Sequence, residues 1–483
     1  MQNIQTAAVY SIGENKGQPR LWMQGNRPAS AGFQPHARYA VDVQVTKGMV
    51  VLSLSEAGTH TVTPKTTRGG KVVPAIDLNS SKTLGVFKGM NAVRVFMMPN
   101  KIFILPLATE LRKKERLDRL KSKLEKGEPL VMGSVSHGAG VLSNTLEKGL
   151  NAAGIKTHLS FANDISHEMI EHSVEVDDSW NDQTLAVMMP LQEAAYDDYL
   201  CQKLGRIDGL SAGLPCSGAS VAGRAKRKLA HPEAHPLVGH LVVPFIALIA
   251  KTNPSFIELE NVGPYQSSSS MDLLRNSLRD LGYVVHETIL DASEFNVLEK
   301  RKRLCMVAVT EGLDFDFECL QKPEPMTRTL SEIMEDIPDD DPAWGTMPGL
   351  VAKQERDKAA GKGFMMQIFG PEDTTVSTMT KDMAKNRSTD PKFRNPRTGL
   401  LRVPKAIEHA RCKGIDDKFV ASLSETFGHQ VVGQAITPPP FFAVGKLLGE
   451  TLLKFLTLGW IAPKRKLDED GNDQQYDLLA VAG

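Results

Sequence analysis

A chain of 483 residues has room for two to four domains and a sizeable buried core. Lys+Arg and Asp+Glu both total 57, so the formal net charge is zero, and 41% hydrophobic with 24% charged residues is ordinary for a globular protein. These values exclude whole-chain disorder, collagen-like repeats and coiled-coil rods, and zero net charge by itself speaks against a nucleic-acid binder.

The longest apolar run, Leu241 to Ala250, is too short to cross a bilayer and contains Pro244. The start, MQNIQTAAVY, has neither the basic nor the apolar block of a secretory leader. Five cysteines between Cys201 and Cys412 form no CxxC pair, which predicts free thiols in a reducing cytoplasm and no metal site.

In chain order, residues from about 18 to 105 read as six short strands: RYAVDVQV, MVVLSLS, HTVTP, KVVPAIDL, AVRVFMM and KIFILP. Hairpin spacing without an intervening helix predicts a small barrel or sandwich. The stretch LATELRKKERLDRLKSKLEKGEP follows, a helix by propensity whose dense mixed charge predicts a solvated connector. After Pro129 strand-length apolar runs alternate with helical patterns such as VLSNTLEKGLNAAG and SMDLLRNSLRDLG. That alternation predicts an α/β domain with a largely parallel sheet, with ligands at the carboxyl ends of its strands. From about 311 to 400 the pattern loosens. Helices return at 404–413 and in FFAVGKLLGETLLKFLTLGW, before a polar tail.

Four motifs carry chemistry. SVSHGAG places Gly138 and Gly140 between a strand and a helix, where backbone can approach a ligand closely; a packed turn is the plain alternative. Asp164 ends the next strand, where a carboxylate can accept ribose hydroxyls. The stretch IDGLSAGLPCSGAS ends a buried strand at Pro215–Cys216, a position suited to a nucleophile, although most cysteines are inert core residues. The basic run Arg224, Lys226, Arg227 and Lys228 follows, able to depress a thiol pKa and touch phosphates, or simply to be a solvated face. In PSFIELENV, Glu260 ends an apolar strand, and buried carboxylates are rare unless paired. In LEKRKRL, Arg301 and Arg303 stand two apart, on one face of an incipient strand.

Taken in order, these strings resemble the cytosine-5 DNA methyltransferase family over roughly residues 129–456. GLPCSGAS is similar to its Pro-Cys loop, Glu-Asn-Val stands as the family writes it, and Arg301-x-Arg303 matches its later motif. Glu408, Arg411 and Gly414 resemble its Glu-x-x-Arg helix, and QVVGQAITPPPFF its closing cofactor motif through Gly433. The departures are Ser136 for a Phe, Ser217 and Glu299 for Gln, Gln434 for Asn, and no clean Asp after TLAVMMP.

The resemblance implies a doubly wound, Rossmann-like α/β core and S-adenosylmethionine as cofactor, bound through Gly138, Gly140, Asp164, Pro215, Gln434 and Ala435. It implies that Cys216 adds to carbon-6 of a flipped cytosine in duplex DNA. Glu260 would bind ring nitrogen 3, Arg301 would orient Glu260, and Arg303 would hold the base carbonyl. The basic loop at 224–228 would close over DNA, with Arg387, Lys392, Arg394 and Arg397 as further contacts in the recognition region. It also implies a bacterial or phage enzyme working on nucleoid DNA in the cytoplasm, with or without a restriction endonuclease partner.

The expected domains are a β-rich 1–106, a charged helical linker 107–128, a catalytic core 129–312, a target-recognition region 313–400, a part completing the core at 401–462, and a tail 463–483. Of the recognition region about 35–50 residues remain to read bases, which predicts a short target. The front region is similar, through Gly32–Phe33 before a strand pair, to the swapped-hairpin DNA-binding domains of AbrB and SymE-like proteins; an oligomerisation module or structural cap is the alternative. Two other functions stay open: a tRNA cytosine-5 methyltransferase, and a DNA-binding regulator with idle chemistry. The zero net charge is then an average over a polarised molecule, basic at 224–228 and around Arg-x-Arg, acidic in IMEDIPDDDP and the tail.

Overall fold

The computed structural model describes residues 5–215, 227 and 230–460, and these fall into two compact units, one up to Glu115 and one from Arg116 onward. Cys216, Arg224, Lys226 and Lys228 therefore lie outside the described residues.

The first unit is one antiparallel sheet of nine strands: β1 Thr6–Asn15, β2 Gln18–Gln24, β3 Arg38–Gln44, β4 Met49–Leu54, β5 His60–Thr61, β6 Thr63–Thr66, β7 Val72–Asn79, β8 Ala92–Met98 and β9 Lys101–Pro106. Their spatial order is β5-β3-β4-β9-β8-β1-β2-β7-β6. Strand β1 joins the halves, because Thr6–Ser11 pairs with β8 and Ile12–Asn15 with β2. Alternation sends Leu21, Met23, Val50, Leu52, Ile76, Leu78, Val93, Val95, Ile102 and Ile104 into one core. Sequence patterning missed β1 and β2. In TAAVYSIGEN the strand formers Thr6, Val9, Tyr10 and Ile12 are interrupted by Ala, Ser and Gly, and QPRLWMQ opens on Gln and Pro, so neither shows an unbroken β-branched run. HTVTP also divides into β5 and β6.

The second unit is built on β10 Leu130–Val135, β11 Thr157–Asn163, β12 Leu185–Val187, β13 Gly209–Ala212, β14 Phe256–Val262, β15 Tyr283–Asp291 and β16 Lys302–Thr310, in the order β12-β11-β10-β13-β14-β16-β15. All neighbours are parallel except around β16, which is antiparallel to β14 and β15. Phe256, Val307 and Met132 face a core shared with the helices Val141–Ala152 and Pro438–Leu458. Ile257, Leu259 and Leu304 face the opposite core, with the helices Val242–Thr252 and Ser269–Asp280. Burial on both faces explains why the strands read as unbroken apolar runs. The strand order reverses between β10 and β13, and a crevice at such a switch point is where ligands of open α/β sheets bind.

The charged helix Ala108–Lys126 is not a solvated connector throughout. Arg116 and Leu120 are fully buried; Arg116 donates to the carbonyls of Leu281 and Gly282, and Arg119 and Lys123 both pair with the buried Asp208. Its charges are matched by internal partners, which composition cannot reveal. Residues 313–400 hold the exposed helix Pro348–Ala359 and, with the following residues, the small sheet β17 Ile368–Phe369, β18 Lys392–Arg394 and β19 Leu401–Arg402. Leu330, Ile333, Val376, Met379, Met383 and Phe393 form its core together with Leu298 and Cys412. Among the described residues no helix is long and apolar enough to cross a membrane.

Candidate active site

The loop after β10 turns sharply: Ser136, Gly138 and Gly140 all have positive φ, at 52°, 58° and 88°. A Cβ at Gly140 would lie 2.3 Å from Asp177 Oδ2 and 2.7 Å from Ser173 Oγ, so only glycine fits. A Cβ at Gly138 would meet nothing within 4 Å, leaving open space beside the loop. The Gly138 N–H donates to Asp164 Oδ2 (2.8 Å) and the Ser166 N–H to Oδ1 (2.9 Å). Asp164 thus ties the glycine loop to the end of β11, while each oxygen keeps a further lone pair for a ligand hydroxyl. Beneath the loop, His137 contacts Ser134 Oγ (2.8 Å) and Ser173 Oγ (2.9 Å), and burial lowers its pKa to about 3, so it is neutral.

One strand further on, β13 runs beside β14 in the register Ala212 to Leu259. Asn261, almost wholly buried, donates from Nδ2 to the carbonyl of Leu214 (3.2 Å) and accepts at Oδ1 from the Val262 N–H. The Asn of Glu-Asn-Val therefore anchors the residue before Pro215, which is exposed and precedes Cys216. The adjacent Glu260 is largely enclosed, and Arg303 Nε stands 3.0 Å from its Oε1.

The arginines divide their work differently from the reading of the sequence. Arg303, opposite Val262 in the β14–β16 register, is the partner of Glu260. Arg301 precedes β16, so it is not held to the face that Arg303 occupies; it contacts Glu299 Oε1 (3.3 Å) and the Ala435 carbonyl (3.2 Å). Glu299 is fully buried, and its Oε1 also accepts from the Met379 N–H (3.3 Å). Lys413 was not foreseen in this cluster. It is fully buried, and its Nζ donates to the carbonyls of Val432 (2.5 Å) and Ala435 (3.2 Å). Burial, with Arg301 nearby, drives its pKa well down. Because Lys413 sits in a charged helix turn, AIEHARCKG, no sequence signal separates it from a surface lysine. Ala435 is thus linked to Arg301 and Lys413, while Gln434 is exposed, with Nε2 donating to Gln430 O.

Glu408 and Arg411 serve as struts. Buried Glu408 receives a bidentate pair from Arg402 (2.6 and 2.5 Å), and Arg411 reaches Asp417 and Glu335. Among the recognition candidates, Lys392 is buried, with Nζ donating to the carbonyls of Arg387 and Asp390, which removes it from contact with a ligand. Arg387 pairs with Asp382, Arg394 with Glu372 (2.7 Å) and Arg397 with Asp339 (2.8 Å), and Arg227 is exposed. A separate cavity of about 690 Å³, lined by Asn144, Lys148, Arg328, Arg411 and Phe442 among others, includes none of the predicted cofactor residues.

The family description of C-5 cytosine-specific DNA methylases matches residues 190–450. The type II methyltransferase M1.ScrFI of Lactococcus lactis subsp. cremoris is 25% identical over 260 residues, covering 51% of this chain and 63% of that protein. M.MspI of Moraxella sp is 26% identical over 267 residues, 54% of this chain and 60% of its own length. The matched stretch thus spans under two thirds of either relative. Among solved structures, the Dnmt2 methyltransferase of S. pombe aligns with a TM-score of 0.51 at 16% identity, over 68% of this chain and 99% of that one. The Entamoeba histolytica methyltransferase EhMeth aligns at 0.52 and 16%, with the same coverage. At such identities the likeness is one of fold, and it agrees with the Rossmann-like sheet described above. With more than half of its length matched by the family description, the chain belongs to the C-5 cytosine-specific DNA methylase family.

Proposed function

We propose that the chain is an S-adenosylmethionine-dependent DNA cytosine-5 methyltransferase. The observation that carries this is the Glu260–Arg303 pair at the end of β14, beside the Asn261-anchored residue Leu214 that leads into Pro215–Cys216. The positive-φ loop at Gly138, the open space beside it and the Asp164 carboxylate fit a nucleoside-bearing cofactor. Gly138, Gly140, Asp164, Pro215, Gln434 and Ala435 would hold it. When bound, S-adenosylmethionine supplies an electrophilic methyl group.

The chain's own groups perform the rest. Carbon-5 of cytosine is a poor nucleophile, so the Cys216 thiolate adds at carbon-6 and makes carbon-5 electron-rich. Glu260 gives a proton to ring nitrogen 3 and so makes the ring accept the thiolate. Arg303 fixes the Glu260 carboxyl and, from the same position, stabilises negative charge on the base carbonyl. Arg301 acts at one remove, holding Glu299 and the Ala435 carbonyl together. Once a water molecule takes the carbon-5 proton, Cys216 leaves as thiolate and the nitrogen-3 proton returns to Glu260, which restores the ring and the enzyme. These atoms are inaccessible in a duplex, so the base must leave the stack, and residues 313–400 are the segment proposed to read its surroundings.

The test is transfer of a labelled methyl group to duplex DNA and, in parallel, to tRNA. Label is expected on DNA carbon-5, and Cys216→Ser is expected to abolish it. Label on tRNA alone, or on neither, would overturn the proposal.

A further inference from the structure

Charge is unevenly divided along the chain. Residues 1–106 hold 12 Lys and Arg against 4 Asp and Glu, a net of +8, whereas residues 107–483 carry a net of −8. A net charge of that sign gives residues 107–483 no long-range pull on a phosphate backbone, so the cations of residues 1–106 are the larger source of attraction.

Within the first unit the cations are not spent on internal pairs. Among the described residues up to Pro106 the one ion pair is Arg20–Asp77 (2.8 Å). The hairpin of β6 and β7 is the sharpest concentration. No Asp or Glu occurs between Glu56 and Asp77, and Thr63 to Val72 is a run of ten exposed residues containing Lys65, Arg68 and Lys71. The tip closes at Gly69–Gly70, where the Gly70 N–H donates to Thr67 O and the Thr67 N–H to Lys71 O. β6 is the outermost strand of the sheet, so the hairpin is a two-stranded ribbon with one side unpaired. At its base Lys65 Nζ stands 5.7 Å from the Trp22 ring centre and the Arg20 guanidinium 4.8 Å, which fixes both cations against an aromatic face.

Edge strands commonly carry a Lys or Pro to block pairing, and Pro64 and Lys65 do so here. That role needs neither the cations at the tip nor the absence of acids over the whole hairpin. A two-stranded ribbon fits the major groove of B-form DNA, with basic side chains against the flanking phosphates.

We propose that the β6–β7 hairpin is a sequence-independent binding element for the backbone of duplex DNA, with Lys65, Arg68 and Lys71 on phosphates. The choice of DNA among polyanions rests on the reading of the chain as a DNA enzyme. The hairpin makes up in attraction what the acidic catalytic unit lacks.

The test uses the full chain and reads binding alone, so its failure is separable from a failure of methyl transfer. A fluorescent duplex is titrated by anisotropy across a salt series with wild type, K65A/R68A/K71A, and the charge-keeping K65R/R68K/K71R. The alanine variant is expected to bind two unrelated duplexes more weakly to the same degree, and its log K against log[salt] slope to be shallower by about 0.9 for each lost contact. The charge-keeping variant is expected to retain the wild-type slope, and K121A/K126A, which removes the same kind of charge from the Ala108–Lys126 helix, to leave the slope unchanged. An unaltered slope in the alanine variant would overturn the proposal. So would a loss confined to RNA or to phosphatidylglycerol vesicles with duplex binding intact.

Discussion

At the scale of single residues, the carboxylates and arginines around β14 and β16 hold the sharpest consequences. Glu258 lies two residues before Glu260 on β14, is fully buried, and has neither carboxylate oxygen hydrogen-bonded among the described residues. Ser211, its register partner on β13, has an equally unpartnered hydroxyl. Burial, reinforced by the Glu260 charge, raises the Glu258 pKa to about 8, so the folded protein keeps a proton that the unfolded chain releases near 4.5. At this group the native state then binds more protons than the unfolded state across that window, so the Glu258 contribution to stability falls as pH rises from about 4.5 to about 8. Glu147, also raised to about 8 by burial, adds the same sign. Glu258→Gln is expected to gain stability relative to wild type as pH rises from about 4.5 to about 8, and the double variant with Glu147→Gln to gain more, as read by urea unfolding at several pH values. A variant-minus-wild-type difference that does not change with pH would contradict this.

The two arginines should separate experimentally. Arg303→Ala removes the partner of Glu260 and is expected to lower kcat by roughly 10²–10³-fold, in the range of losing one transition-state donor. Arg301→Ala strands the buried Glu299 carboxylate and is expected to cost about 3–5 kcal/mol of stability. Steady-state kinetics and denaturant unfolding on both variants check the split, and equal behaviour would refute it. Glu260 was legible in the sequence because a carboxylate ending an apolar strand demands a partner. The division between Arg301 and Arg303 was not, since a two-residue period assumes a strand that in fact begins at Lys302. Glu258 was hidden for a related reason: every residue from Phe256 to Leu259 is buried, so alternation carries no signal there.

At the scale of elements, the helices Val141–Ala152 and Pro438–Leu458 meet through glycines. A Cβ at Gly149 would lie 2.6 Å from the Phe442 carbonyl oxygen and 2.8 Å from Gly445 Cα, and one at Gly445 would lie 2.7 Å from the Leu146 carbonyl oxygen. Gly449 would meet Ala153 Cβ at 2.5 Å. The helix that follows the glycine loop and the helix that follows Gln434–Ala435 therefore touch backbone to backbone. Gly445→Leu is expected to force them apart and cost about 1–3 kcal/mol or more, as overpacking does. The urea midpoint measures it, and an unshifted midpoint would show that the contact is slack. Both helices were readable from their apolar spacing. Their contact was not, because glycines in a helical pattern look like weak points until the partner is known. The Ala108–Lys126 helix shows the converse, as a charge-rich stretch whose Arg116 is buried against carbonyls that lie far along the chain.

At the scale of the molecule, the alternation of strands and helices made an α/β core legible, and the motif strings put the candidate site residues at strand ends. The order β12-β11-β10-β13-β14-β16-β15 was beyond reach of the sequence, because local pattern does not say which strand adds to which edge. Zero net charge likewise concealed two parts of opposite sign, +8 before residue 107 and −8 after it.

The last helix has a consequence in time. All seven strands of the central sheet are made once residue 310 leaves the ribosome, yet Phe256, Val307 and Val309 share their core with Phe441, Val444 and Leu448. At about 5–20 residues per second, that face waits on the order of 10 s for the part of its cover that Pro438–Leu458 adds to the helix Val141–Ala152. Apolar side chains still open on the nascent chain over that interval are where a chaperone, or another chain, would bind. A chain cut before Pro438 is therefore expected to be insoluble, because Phe441, Val444 and Leu448 would be missing from that core, and the soluble fraction on expression measures it.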